Sequence, residues 1–198
     1  MLPVEFKNKN FWSLGPREEY GDKEASTIHQ AVGEALSQWE LLETQLAELF
    51  SVLVKSDTIG ASRVYGNLMS SAARIQSLDC AAEIFFETGA EGKEEYQKLI
   101  KYVSMAGGRR NEIAHGIVLD YASLETPGGG YFLTAPTYNT RKNEPFVDLQ
   151  SGGTDPFSWT TQTYVYTSAQ ITSFTAKVRR VEREALNLSR ALTSASHK

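Results

Sequence analysis

The stretch AGGRRNEIAHGIV, residues 106–118, decides how the middle of this chain is read. Upstream, Tyr96, Leu99, Tyr102, Val103 and Ala106 recur at helical spacing, and Ile113 and Ile117 continue the stripe beyond it. At about 100° per residue, a single helix over residues 96–121 gathers these apolar side chains on one side. Arg110 falls at the edge of that side, while Asn111 and His115, four residues apart, point away from it. A guanidinium at such an edge is partly buried and demands a carboxylate. Glu40 and Glu43, on the helix expected first in the chain, are the candidates. Gly107 and Gly108 each weaken a helix interior by about 1 kcal/mol relative to alanine, so they ask for a local break or a close approach to explain them.

Outward from this stretch, other helices are legible. Ile28, Val32, Ala35, Trp39, Leu42, Leu46, Leu49 and Leu53 alternate spacings of four and three, which predicts a long amphipathic helix. Val64, Leu68, Ala72, Ile75, Leu78, Ala82 and Phe85 predict a second, ended by Thr88 and Gly89. Ile171, Phe174, Val178, Val181, Ala185, Leu188 and Leu192 predict the last, with Ser168 as its N-cap. Between the third and last helices the texture turns to Gly, Pro, Thr and aromatics, with runs at 131–135, 146–150 and 161–167 that suit strands. A segment this long needs structure of its own. Short loops make the first three helices antiparallel neighbours. The expected fold is therefore mainly α: an antiparallel four-helix bundle with a small β-insertion, about residues 122–167, between the third and fourth helices. Residues 1–24, with Gly15, Pro16 and Gly21, read as an irregular arm, and residues 25–198 as a single helical domain.

Composition narrows the function classes. With 198 residues, 41% hydrophobic and 22% charged, the chain can bury a core. No apolar run approaches the length of a membrane span, the start lacks a signal-peptide layout, and Cys80 has no second cysteine to pair with. These features predict a cytoplasmic protein with no membrane partner. A net charge of −4 argues against a surface coated for nucleic acid, while leaving room for a local basic site. No His-Glu-x-x-His pattern, acidic triad or phosphate-cradling G-x-x-x-x-G-K is present, so neither a metal nor a cofactor is expected.

What remains is an arginine and a histidine on one helix. An imidazole can take a proton from a hydroxyl and return one to a leaving group. A guanidinium beside it can neutralise charge developing on a phosphate without itself titrating. Together they meet the minimum for cleaving RNA through its own 2′-hydroxyl. The same two residues fit a surface pair, a structural hydrogen bond, or a buried ion pair of Arg110 holding helices together. Arg74 has its own candidate partners, Asp79 and the first helix's glutamates. Aromatics of the insertion, among them Tyr131, Phe132, Tyr164 and Tyr166, can stack on bases or pack against one another.

The segment RNEIAH, Arg110 to His115, resembles the R-x4–6-H signature of HEPN domains, in which a polar residue such as Asn111 commonly follows the arginine. QWELLETQLAELF and SSAARIQSLDCAAEIFF in the first and second helices also resemble a bacterial HEPN-like group. The resemblance covers roughly residues 25–120 and 168–194. It implies a metal-independent endoribonuclease that acts as a homodimer on RNA, leaves a 2′,3′-cyclic phosphate, and serves as a toxin or in phage defence, with an antitoxin or other partner protein. It also admits a non-catalytic HEPN-like dimer acting as an RNA- or protein-binding module. By position, Arg110 would stabilise the phosphate, His115 would transfer protons, and Asn111 would orient the histidine or the phosphate. Arg109, Glu40, Glu43 and Arg74 are the supporting or RNA-binding candidates. Where toxins with a modified tyrosine carry that residue, this chain has Ile117, so the resemblance does not extend to that form of regulation.

Overall fold

The stripe that begins at Ile28 folds as α1, Ala25–Leu53, in the computed structural model, which describes residues 11–56, 58–121, 127–136 and 162–196. The described chain is mainly helical. After α1 come α2 (Ile59–Gly66), α3 (Ser71–Glu87) and α4 (Lys93–His115), then β1 (Ile117–Asp120), β2 (Tyr131–Thr134), β3 (Val165–Tyr166) and α5 (Ser168–Ser196). Among the described residues no helix is long and apolar enough to cross a membrane. The chain divides into two compact units. The described part of the first comprises residues 11–12, Ser37–Gly108 and residues 176–196, and that of the second lies within Ser13–Leu36 and Arg109–Thr175.

In the first unit the expected second helix is broken in two. Arg74 explains the break: its Nε donates to the Leu68 carbonyl at 3.0 Å, holding the connection open, and Ser70 caps α3 by accepting from the Ala73 amide at 3.1 Å. The short α2 runs back along α1, with the Ser51 and Ser62 hydroxyls 3.0 Å apart and the Phe50 and Tyr65 rings 5.7 Å apart. This reverses the direction expected for the next long helix. Glu43 meets Arg74 near the start of α3, and Lys55, just past the end of α1, lies over Phe85 near the end of α3. So α1 and α3 run parallel, not antiparallel. The short loop 88–92 then turns α4 back against α3, placing Tyr96 against Asp79 and Phe86. Arg179 of α5 reaches Gln38 of α1 at 3.1 Å. A groove between the later parts of these two helices is lined by Glu48, Val52, Leu186 and Thr193, so α5 also runs with α1. The cause is α2: eight residues are enough for a return stroke that two connected helices would otherwise lack.

In the second unit, α4 stops at His115, whereas the sequence expectation carried it to residue 121. The sheet therefore begins before residue 122, and Ile117 is 38% exposed instead of serving the helical core. Gly116 is the reason. A Cβ there would lie 2.7 Å from Leu133 Cγ, so only glycine lets the chain leave the helix this close to β2. The strands are antiparallel in the order β1-β2-β3, with Val118 opposite Leu133 and Leu133 opposite Tyr166. The expected strand at 146–150 lies outside the described residues.

The described part of the arm is irregular but heavily bonded. Asp22 bridges to Tyr131, and Gly21 sits so close that a Cβ would meet the Tyr131 carbonyl at 2.5 Å. The Asp22 carboxylate accepts from the Ser168 amide at 2.7 Å and from its hydroxyl at 2.5 Å. Thr167, not Ser168, is the N-cap of α5: its hydroxyl accepts from the Gln170 amide and the Gln170 side chain accepts in turn from the Thr167 amide, a reciprocal capping box.

Candidate functional site

Residues 109–116 end α4 and enter β1, and the helix sorts their side chains by direction. Arg109 and Glu112, one turn apart, face β3. Glu112 Oε2 receives Arg109 Nη1 at 2.5 Å and the Tyr166 hydroxyl at 2.6 Å, and Arg109 also donates to the Tyr166 hydroxyl. The Arg109 guanidinium lies 5.4 Å from the Tyr166 ring centroid. Burial, followed by the hydrogen bond to Glu112, raises the Tyr166 phenol well above its ordinary range, so it remains a protonated donor. Arg109, a supporting or RNA-binding candidate, has its charge paired with a carboxylate of its own unit.

Asn111 and His115 are exposed and share a face turned away from the buried Ile113 on the same two turns, as their helical phase predicts. Arg110 is partly buried beside them. Its Nη1 donates to Asn111 Oδ1 at 3.2 Å, while its Nε is buried without a hydrogen-bond partner among the described residues. Among those residues no carboxylate forms an ion pair with Arg110. The three residues of the motif thus form an accessible imidazole, an amide, and a guanidinium tethered to that amide. An acid–base group and a fixed positive charge stand within two turns of one helix.

The other supporting candidates, Glu40, Glu43 and Arg74, belong to the first unit. Glu40 is exposed. Glu43, the other expected partner of Arg110, is 8% exposed and engaged by three groups. Arg74 Nη1 lies 3.1 Å from Oε2, the Tyr65 hydroxyl donates to Oε2 at 3.3 Å, and the Trp39 indole donates to Oε1 at 3.2 Å. Arg74 meets a glutamate of the first helix, one of its two expected kinds of partner, while Asp79 accepts from Tyr96 at 2.8 Å. Glu43 and Arg74 therefore neutralise one another inside the first unit.

Beyond its spacing from Arg109, nothing in the sequence pattern singles out Glu112, and Tyr164 and Tyr166 stand out there only as aromatics. The spacing of Arg109 and Glu112, three residues apart on a helix, was the available signal. Among the described residues, no group of three or more His, Cys, Asp and Glu side chains is placed to hold a metal ion. Set against known protein families, curated proteins and solved structures, the chain gives no match in any of the three comparisons.

Proposed function

We propose that this chain is a metal-independent endoribonuclease of HEPN type, working as a cytoplasmic homodimer, with a toxin or phage-defence role and an antitoxin or similar protein as its partner. The observation that carries the reading is the convergence of the motif on one accessible face: Asn111 and His115 exposed together, with Arg110 hydrogen-bonded to Asn111. In this reading α1, α3, α4 and α5 are the four long helices of a HEPN-like set and α2 is an added return segment. The proposal rests on the α4 motif rather than on helix direction.

The chemistry needs a base for the 2′-hydroxyl, an acid for the 5′-oxygen, and positive charge at phosphorus. The 2′-oxygen attacks phosphorus as its proton passes to an imidazole. The 5′-oxygen leaves with a proton from a second imidazole, giving a 2′,3′-cyclic phosphate and a 5′-hydroxyl. Each chain has one His115, so a second copy supplies the second imidazole. Arg110 offers several fixed N–H donors to the phosphate oxygens. Asn111 holds the guanidinium in place.

The test is RNA cleavage by purified protein in chelator, with the ends of the products characterised. His115→Ala and Arg110→Ala should remain folded and dimeric and lose at least about a hundredfold in rate. Equal cleavage by these variants overturns the proposal. Tight RNA binding without cleavage by the wild-type protein would replace it with the binding-module reading.

A further inference from the structure

The last four carbonyls of a helix have no partner within it, and α4 ends with its working face on that last turn. In that last turn the Glu112 carbonyl takes a donor from far away: the Tyr164 hydroxyl donates to Glu112 O at 3.0 Å across 52 residues of chain. Two residues on, Tyr166 takes the Glu112 carboxylate. The two tyrosine rings stack, 5.2 Å between centroids and 11° between planes, so the phenols act as one rigid pair. Arg109 closes the arrangement by meeting both Glu112 and Tyr166. Backbone and side chain of a single residue, Glu112, are thus fastened within the same stretch of helix that carries Asn111 and His115.

We propose that Tyr164, Tyr166 and Glu112 are positioning residues: they clamp the last turn of α4 to β3 so that Asn111 and His115 are presented on a fixed face and not on a fraying helix end. The need for a clamp is local. Gly107 and Gly108 weaken the helix just upstream, and a helix end without tertiary partners frays. Displacement of a reacting group by about 1 Å costs on the order of a hundredfold in rate. The clamp also ties the turn to the far end of the segment between β2 and β3, since Tyr164 and Tyr166 are where the chain returns from it. The catalytic consequence rests on the ribonuclease reading. The structural one does not.

The test compares Tyr164→Phe, Tyr166→Phe, their double variant, Glu112→Gln and Glu112→Ala in the full chain. Phenylalanine keeps the ring stack and removes only the hydroxyls, so the fold is preserved. The first readout is amide hydrogen exchange. In the double variant the amides of residues 113–116 should exchange about tenfold faster, with those of residues 96–106 unchanged. The second readout is cleavage of a model RNA. The double variant should lose about tenfold in kcat with KM within twofold, because the motif is intact but misplaced. Glu112→Gln keeps both the backbone carbonyl and an oxygen acceptor, and should retain most of the activity that Glu112→Ala loses. Unchanged exchange in the double variant overturns the clamp. So does an activity loss that tracks global stability equally in Glu112→Gln and Glu112→Ala. If the wild-type protein does not cut RNA, the ribonuclease reading fails, and the exchange measurement alone decides the clamp.

Discussion

Each unit contains one arginine, one glutamate and one tyrosine joined in the same way. In the first, Arg74 and Tyr65 both engage Glu43. In the second, Arg109 and Tyr166 both engage Glu112. In both the guanidinium also lies over the tyrosine ring, at 5.8 Å and 5.4 Å. The difference is in what they connect and how much water reaches them. Glu43 joins three helices with its side chain 9% exposed, whereas the side chains of Arg109 and Glu112 are 31% and 24% exposed and sit one turn apart on one helix. The same chemistry therefore serves two ends: the first set fixes how helices assemble, and the second fixes where one helix end points.

The sharpest way to break that comparison is to remove each carboxylate in turn. Glu43→Ala leaves a half-buried guanidinium and a buried phenol without their acceptor, and should destabilise the protein by about 3 kcal/mol in urea unfolding. Glu112→Ala should cost about 1 kcal/mol or less, because solvent reaches both partners and the pair is local. Equal costs would mean that the two sets play the same role.

A second way is through pH. Burial, then the neighbouring carboxylate, raises the Tyr65 phenol; burial, then the Glu112 hydrogen bond, raises Tyr166; burial, then Asp79, raises Tyr96. A phenol whose folded value lies above its unfolded value of about 10 contributes stability that is complete below pH 10 and is lost as pH rises, since the unfolded chain releases its proton first. Stability should therefore be level up to about pH 9.5 and fall above pH 10, by up to about 1.4 kcal/mol per pH unit for each tyrosine involved. Urea midpoints at pH 8.5, 10 and 11 measure this. Tyr65→Phe should flatten the decline more than Tyr166→Phe, because Glu43 is the more buried acceptor; the reverse order would count against the contrast drawn between the two sets.

These networks also mark where sequence and structure part. The stripes of α1 and α5 were legible because their apolar residues keep helical phase over many turns, and nearly all of them are buried. The exposure of Asn111 and His115 followed from phase in the same way. The break between α2 and α3 was not legible, since Val64 and Leu68 hold the phase across it while the cause is an arginine side chain reaching a carbonyl. Nor was the end of α4. Ile113 and Ile117 are in register for one helix, but Gly116 is needed for contact with Leu133, a strand residue distant in sequence. Periodicity reports the face that an element buries, and it is silent on partners that arrive from elsewhere in the chain. Glu43 was expected near Arg110 for the same reason: sequence supplies the demand for a carboxylate, but not which of several cations is adjacent.

The smallest expected effect tests the glycines of α4 against one another. Gly116 is required, and alanine there destabilises by driving a methyl group into Leu133. Gly107 belongs to the other unit and is different. It lines a cavity of about 30 Å³ beside Trp39, Glu43, Tyr65 and Arg74, and a Cβ added to it meets nothing within 4 Å. Gly107→Ala should therefore stabilise the protein by about 0.5–1 kcal/mol, the usual gain for removing a helix-interior glycine whose conformation alanine accepts. A loss in place of that gain would show that the space beside the Glu43 network has to stay open, as it must if the cavity, about one water molecule in size, completes the hydrogen bonding of Glu43 and Arg74. A gain accompanied by unchanged RNA cleavage would confine the role of Gly107 to folding.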